Sequence, residues 1–170
     1  IAAINHQKPD QVPIDFGATG QTGISVSAMY RLREYLGLPQ KALETFEICQ
    51  MLGVVDDDLR QIIKSDVIGL NRPEDSLGVP NTSEKKLFRM PDGTPTLINT
   101  GNEFDVLPDG RVQMYPQGDR SAPPSIYMPA GGYFFEIIDR APKIDEDNLN
   151  FTSIVTINRT YSISHYDSMF

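Results

Sequence analysis

"PIDFGATGQTGIS", residues 13–25, starts as a short apolar run and turns into glycines and small hydroxyl residues. Its reading decides the fold and most of what the chain can do. Gly17, Gly20 and Gly23 are spaced G-x-x-G-x-x-G. A dinucleotide loop needs G-x-G-x-x-G between a strand and a helix, and a nucleoside-triphosphate loop needs G-x-x-x-x-G-K-S/T. Neither pattern is present, and no lysine follows Gly23. Backbone amides at the next helix start could still hold an anion. Two readings stay open: a surface turn, or a loop at the carboxyl end of a barrel strand, where α/β folds place their sites.

Working outward, "VPIDFG" (12–17) is a strand candidate ended by Gly17. "SVSAMYRLREYLGLP" (25–39) has Met29, Leu32 and Leu36 at helical spacing, with Gly37 and Pro39 as a stop. Ser25 or Ser27 is its candidate cap, with Ser27 the preferred one. "ETFEICQML" (44–52) reads as a second helical piece and "VVDDDLRQIIKSD" (54–66) as a third. In the third, Asp56 is the candidate cap, Asp57 and Asp58 suit the positive helix start, and Leu59, Ile62 and Ile63 form the apolar face. The run Asp56–Asp58 lacks the alternating acids, glycine and distant glutamate of a calcium loop. "DVIGL" (66–70) reads as a second buried strand, ended by "NRPED". Strand, helices and strand in that order predict a parallel crossover unit.

From about Leu87 the character changes. "PDGTP", "NTGNE", "PDGRV" and "PQGD" are turn signals, and "FDVLPDGRVQMYP" (104–116) predicts a hairpin with Asp109-Gly110 at its turn. "PPSIYMPAGGYFFEIIDRAP" (123–142) carries an aromatic-aliphatic run expected to be buried, and "KIDEDNLN" (143–150) an acidic helix start. Asp139 and Arg140, after the "YFFEII" run, are expected to form part of a buried pair or to face the mouth of a barrel. The last twenty residues, 151–170, are rich in Ser, Thr and β-branched residues with no helical stripe.

Composition limits the function classes. Fifteen basic against twenty-three acidic residues give a net charge of −8, which repels nucleic-acid phosphates. The short basic stretch "SEKKLFRMPDG" is interrupted by acids. No nucleic-acid partner is expected. No apolar run is long enough to span a membrane and no signal-peptide pattern is present, so a cytoplasmic, membrane-free protein is expected. The single cysteine, Cys49, excludes an internal disulfide framework; it lies in the apolar stretch "FEICQML", where a small buried side chain is the favoured reading. His6 and His165 are the two histidines, and no pair among the three has zinc-ligand spacing. The chain starts at Ile1 rather than Met, so further sequence before it is expected.

"AAINHQKPDQVPIDFGATGQTGISVSAMYRLREYLGL" (2–38), "DVIGL" and "PDG…YPQGD…PPSIYMPAGGYFFEIIDR" occur in that order. Together they resemble the opening of the uroporphyrinogen decarboxylase superfamily, and most closely its branch of corrinoid-dependent methyltransferases. The resemblance covers about residues 1–149. It implies α/β architecture: the N-terminal part of a (β/α)8 TIM-type barrel over residues 1–150, with an antiparallel hairpin-rich insertion at about 87–128 and a divergent tail at 151–170. A full barrel of this kind needs about 250 residues, so a fragment, inactive alone, is expected. Truncation, a frame change or divergence would each explain the tail.

The resemblance also implies chemistry. The decarboxylases carry an M-R-Q-A-G-R segment where this chain has "GATGQTG", and an F-S-D aspartate near the position of Asn71 and Arg72. Without those groups, unless Asp75 or Asp15 substitutes for the aspartate, porphyrinogen decarboxylation is the lesser alternative. The methyltransferase branch binds zinc through H-x-C and a later cysteine, which this chain lacks. Zinc is therefore expected in a missing second half, with methylcorrinoid brought by a partner protein and no cofactor in this chain. A corrinoid protein or a small-molecule methyl acceptor is the implied partner. Thr19, Gln21, Thr22, Ser25 and Asn71 are the candidate substrate-binding residues, with turn and cap roles the alternative for the hydroxyls; the catalytic residues remain unassigned. The competing reading is a non-enzymatic α+β interaction module. An incomplete barrel would leave strand edges unpaired, so self-association is expected.

Overall fold

A computed structural model describes residues 1–70, 72–82 and 84–139. The chain divides into two units, Ile1–Ile137 and Ile138–Phe170, and the architecture below is that of the first. Its helices are α1 (Val26–Tyr35) and α2 (Asp57–Ile63). Its strands are β1 (Leu43–Glu47), β2 (Leu52–Gly53), β3 (Lys85–Arg89), β4 (Pro95–Asn99), β5 (Phe104–Val106), β6 (Val112–Met114), β7 (Ile126–Met128) and β8 (Glu136–Ile137).

The strands make two four-stranded sheets, ordered β2-β1-β4-β3 and β5-β6-β7-β8. Among the described residues only β1 and β4 pair in parallel, with Leu43 opposite Thr96 and Glu44 opposite Leu97. This corrects the expected barrel segment. A barrel needs successive parallel strands, each followed by a covering helix. Here two short α-helices accompany sheets that are otherwise antiparallel, with tight hairpins joining β3 to β4 and β5 to β6 and longer connections joining β6 to β7 and β7 to β8.

Two of those hairpins are the same device. In Met90–Thr94 the Gly93 N–H donates to the Met90 carbonyl at 2.8 Å and the Met90 N–H to the Thr94 carbonyl at 2.9 Å. In Leu107–Arg111 the matching bonds, from Gly110 to Leu107 and from Leu107 to Arg111, are 2.9 and 2.8 Å. Each is a Pro-Asp-Gly turn with the glycine left-handed, at φ +86° for Gly93 and +83° for Gly110. The aspartate of each accepts the N–H two residues on, Thr94 at 3.0 Å and Arg111 at 3.1 Å. The hairpin expected at 104–116 is therefore present, as β5 and β6.

Three other expected elements differ. "ETFEICQML" is a β1–turn–β2 unit and not a helix. Glu47 accepts N–H bonds from Cys49 at 3.2 Å and Gln50 at 2.6 Å, and Met51 is left-handed at φ +53°. On the strand, Thr96 donates to the Leu43 carbonyl at 2.7 Å, so the Thr45 hydroxyl must donate to Thr96, also at 2.7 Å. Partnership with β4 thus outweighs a helical spacing that was compatible with either state. "VPIDFG" and "DVIGL" form no strands, so the expected crossover unit is absent. Pro13 has no N–H to give a ladder, and of the bonds joining residues 14–16 to 65–66, three use the Ser65 or Asp66 side chain and one is a backbone pair. Finally, Tyr133, Phe134 and Ile137 of the run expected to be buried are exposed, while Phe135 is buried.

Side chains of both sheets share one buried cluster, with Phe88 and Ile98 from the first and Val112, Met114, Ile126 and Met128 from the second. Phe88 meets Phe104 edge-on at 5.1 Å between ring centroids. A second cluster joins Met29 of α1, Leu43 of β1 and Leu59 of α2, and Phe16 packs against it. Phe16 is therefore the anchor from which the glycine-containing loop departs. Beside this cluster, Arg33 is fully buried. Its guanidinium donates to Asp56 at 2.8 and 2.9 Å, to Asp58 at 2.8 Å twice, and to the Pro39 carbonyl at 2.8 and 3.2 Å. The Asp56–Asp58 run is thus a helix start clamped to α1. No helix among the described residues is long and apolar enough to cross a membrane.

Candidate functional site: a cleft between two distant loops

The loop after Phe16 is held by its own polar groups. The Ala18 N–H donates to Asp15 at 3.2 Å, and the Thr19 N–H to the Thr22 hydroxyl at 3.3 Å. The Thr19 and Thr22 hydroxyls lie 3.2 Å apart. Two amides that could have faced a phosphate are therefore spent inside the turn, and the carboxylate of Asp15 stands beside one of them. Ser25 is the N-cap of α1, accepting from the Ala28 N–H at 3.3 Å. This corrects the preference for Ser27, which lies inside the helix and is buried. Gln21 is exposed in the same turn. Thr19, Gln21 and Thr22 thus share one surface turn, while Ser25 begins the helix; Asn71 lies outside the described residues.

A second segment, 65–70, is drawn against this loop from about fifty residues away. Ile14 N–H donates to Asp66 Oδ2 at 2.9 Å, and the Asp66 N–H donates to the Ile14 carbonyl at 2.8 Å. Ser65 Oγ accepts from the Phe16 N–H at 3.2 Å and donates to the Ile14 carbonyl at 3.3 Å. At Gly69 the approach is closest: a Cβ there would lie 2.0 Å from the Ala18 carbonyl oxygen, so no other residue fits without backbone movement.

Between the two segments lies a cleft of about 80 Å³, lined by Phe16, Gly17 and Ala18, by Val67, Ile68 and Gly69, and by Phe46, Val54, Val55 and Arg60. The lining is apolar apart from Arg60 and backbone groups. Sequence reasoning named the hydroxyls of the turn and missed Arg60, Asp66 and Gly69. The available signal was Arg60 itself, a cation next to Leu59 and followed by the apolar pair Ile62-Ile63 in "DLRQII".

The metal and carboxylate candidates fall elsewhere. Among the described residues, no group of three or more His, Cys, Asp or Glu side chains is placed to hold a metal ion. His6 is exposed in the N-terminal turn, and His165 lies outside the described residues. The Cys49 thiol is pushed up to about 12 by burial, with Glu47 and Asp75 adding to the shift. It is not a ready thiolate. Zinc therefore does not fit these residues, and a cleft about half the size of a ~150 Å³ benzene-holding cavity is too small for a corrin ring.

Asp75, considered as a substitute acid, already accepts four N–H bonds. They come from Leu77 and Val79 at 2.9 and 3.1 Å, and from the Asn99 and Asn102 amides at 3.1 and 2.7 Å. It organises the 73–82 loop, each of its two oxygens accepting two of these bonds. In comparisons with known proteins, the chain matches no family model, no curated protein and no solved structure.

Proposed function

We propose that the chain forms the ligand-binding wall of a methyl-transferring enzyme resembling the corrinoid-dependent branch of the uroporphyrinogen decarboxylase superfamily. One observation supports this reading. The two segments that carry the resemblance most clearly, 13–25 and 66–70, are remote in sequence yet close one cleft, through the reciprocal bonds of Ile14 and Asp66. In this reading the cleft and the Thr19–Thr22 turn bind and orient a small ligand. Apolar walls exclude water from the ligand body, and the threonine hydroxyls offer hydrogen bonds at the rim. Zinc and the corrinoid belong to groups outside the described residues, and none of the chain's described side chains serves as nucleophile or metal ligand. Of the two acids that could substitute in porphyrinogen decarboxylation, Asp75 is consumed by four donors and Asp15 accepts the Ala18 N–H within the turn, so decarboxylation stays the lesser reading.

The test is turnover. The full-length protein should demethylate methylcobalamin, or a methylated corrinoid protein, in the presence of thiol acceptors. Absence of methyl transfer to any acceptor would overturn the reading. A second reading, a non-enzymatic interaction module, draws on exposed apolar side chains in and beside the same two segments, Val12, Ile14, Ile68 and Leu70. It predicts concentration-dependent association in sedimentation experiments, abolished by Ile68→Asp and Leu70→Asp together.

A further inference from the structure

The cleft holds one charge. Arg60 is about three-quarters buried, with 26% of its side chain exposed, and its partner among the described residues is Asp57, 2.6 Å away and itself 79% exposed. That bond uses one terminal nitrogen of a group with five N–H donors. An exposed ion pair of this kind is worth about 0–1 kcal/mol, so it is readily shared with or displaced by a second anion. The remaining walls, Phe46, Val54, Val55 and Ile68 among them, bring no acid and no side-chain amide.

From this we infer that the cleft is a binding site for a small monocarboxylate, with its carboxylate on Arg60 and a short branched apolar body against Val54, Val55 and Ile68. Three features fix the class. A guanidinium selects an anion, and pairs a planar carboxylate through two parallel N–H bonds. Phosphate is disfavoured because the loop amides of Ala18 and Thr19, the ones that follow Gly17 in the turn, are occupied by Asp15 and Thr22. Size limits the body: about 80 Å³ is roughly half of a ~150 Å³ cavity that takes benzene, which suits three or four carbons. The inference rests on the cleft being the ligand site proposed above and names the chemistry of what it takes. It does not depend on methyl transfer.

The experiment is titration of the full chain with isobutyrate, isobutyramide and inorganic phosphate, followed by saturation-transfer NMR and calorimetry. Isobutyrate is expected to bind, isobutyramide and phosphate at least about tenfold more weakly, the equivalent of one lost charge-assisted bond. Arg60→Gln is expected to lose isobutyrate binding. Asp57→Asn, which removes the competing exposed carboxylate, is expected to tighten it, and this variant decides the matter should Arg60→Gln fail to fold. Equal binding of the acid and the amide, displacement of isobutyrate by phosphate, undiminished binding by a folded Arg60→Gln protein, or weaker binding by Asp57→Asn would each overturn the inference. Methyl transfer failing while isobutyrate still binds would count against the proposed enzyme and not against this site.

Discussion

Ile14 and Asp66 exchange hydrogen bonds across 52 positions of sequence: Ile14 donates to the aspartate carboxylate at 2.9 Å and accepts from the aspartate N–H at 2.8 Å. Only the second bond is a backbone pair, and it lies where two strands were expected. The carboxylate therefore does work that a sheet ladder would otherwise do.

Asp66→Ala removes the first bond and leaves the second. The expected cost is about 1 kcal/mol, since the pair is exposed and one partner is charged. The sharper signature is local: amide exchange at Ile14 and Phe16 should accelerate while the amides of β4 and β6 stay protected. Uniform loss of protection would show that the two segments are not an independent contact.

Arg33 ties α1 to the start of α2. Its complete burial and its bonds to Asp56, Asp58 and Pro39 mean that removing it leaves two carboxylates facing each other without a cation, apart from Lys41 on Asp56. Arg33→Met is expected to destabilise by about 1–3 kcal/mol, because the carboxylates it leaves are part-exposed, 21% for Asp56 and 39% for Asp58. Arg33→Lys should recover little, because an ammonium cannot reproduce the fork. Urea denaturation checks both.

The same cluster sets an acid limit. The Arg33 guanidinium holds the Asp58 carboxyl well below the usual carboxylate range. A lowered folded-state value means stability that is fully present above the unfolded value of about 3.9 and is lost as pH falls from there toward the folded value. Unfolding followed between pH 5 and 2 should show this slope, and Asp58→Asn should flatten it.

Cys49 gives the opposite sign at the basic end. Its thiol is raised from 9.0 to about 12, so the stability it confers is present below about pH 9 and is lost as pH rises toward 12. At pH 8 the folded chain should resist iodoacetamide, while urea-unfolded chain is alkylated rapidly. Rapid labelling of folded protein would contradict the burial of this thiol.

The turns were legible in the sequence because Asp92-Gly93 and Asp109-Gly110 act through local geometry that two or three residues carry by themselves. Helix α1 was legible for a similar reason, its apolar stripe being complete within ten residues. What decided β1 lay elsewhere: Thr45 and Leu43 find their partner in Thr96, half a hundred positions away, and no local period announces it. The segments 12–17 and 66–70 read as strands by composition, yet Ile14 and Asp66 meet through a carboxylate as well as a backbone pair. The threonine turn of the site was visible as a motif, whereas Arg60 and Gly69 gain meaning only when the distant segments come together.

The most direct measurement is the kinetics of methyl transfer by the full-length protein, with wild type compared against Thr19→Val/Thr22→Val. Thr19 is exposed and Thr22 half-buried; the double change gives up the Thr19 N–H bond to the Thr22 hydroxyl inside the turn but touches no helix or strand. If the turn orients the ligand, KM should rise about tenfold for the loss of one to two hydrogen bonds, with kcat little changed. Unchanged KM in the double variant, or no methyl transfer by the wild type, would contradict the account.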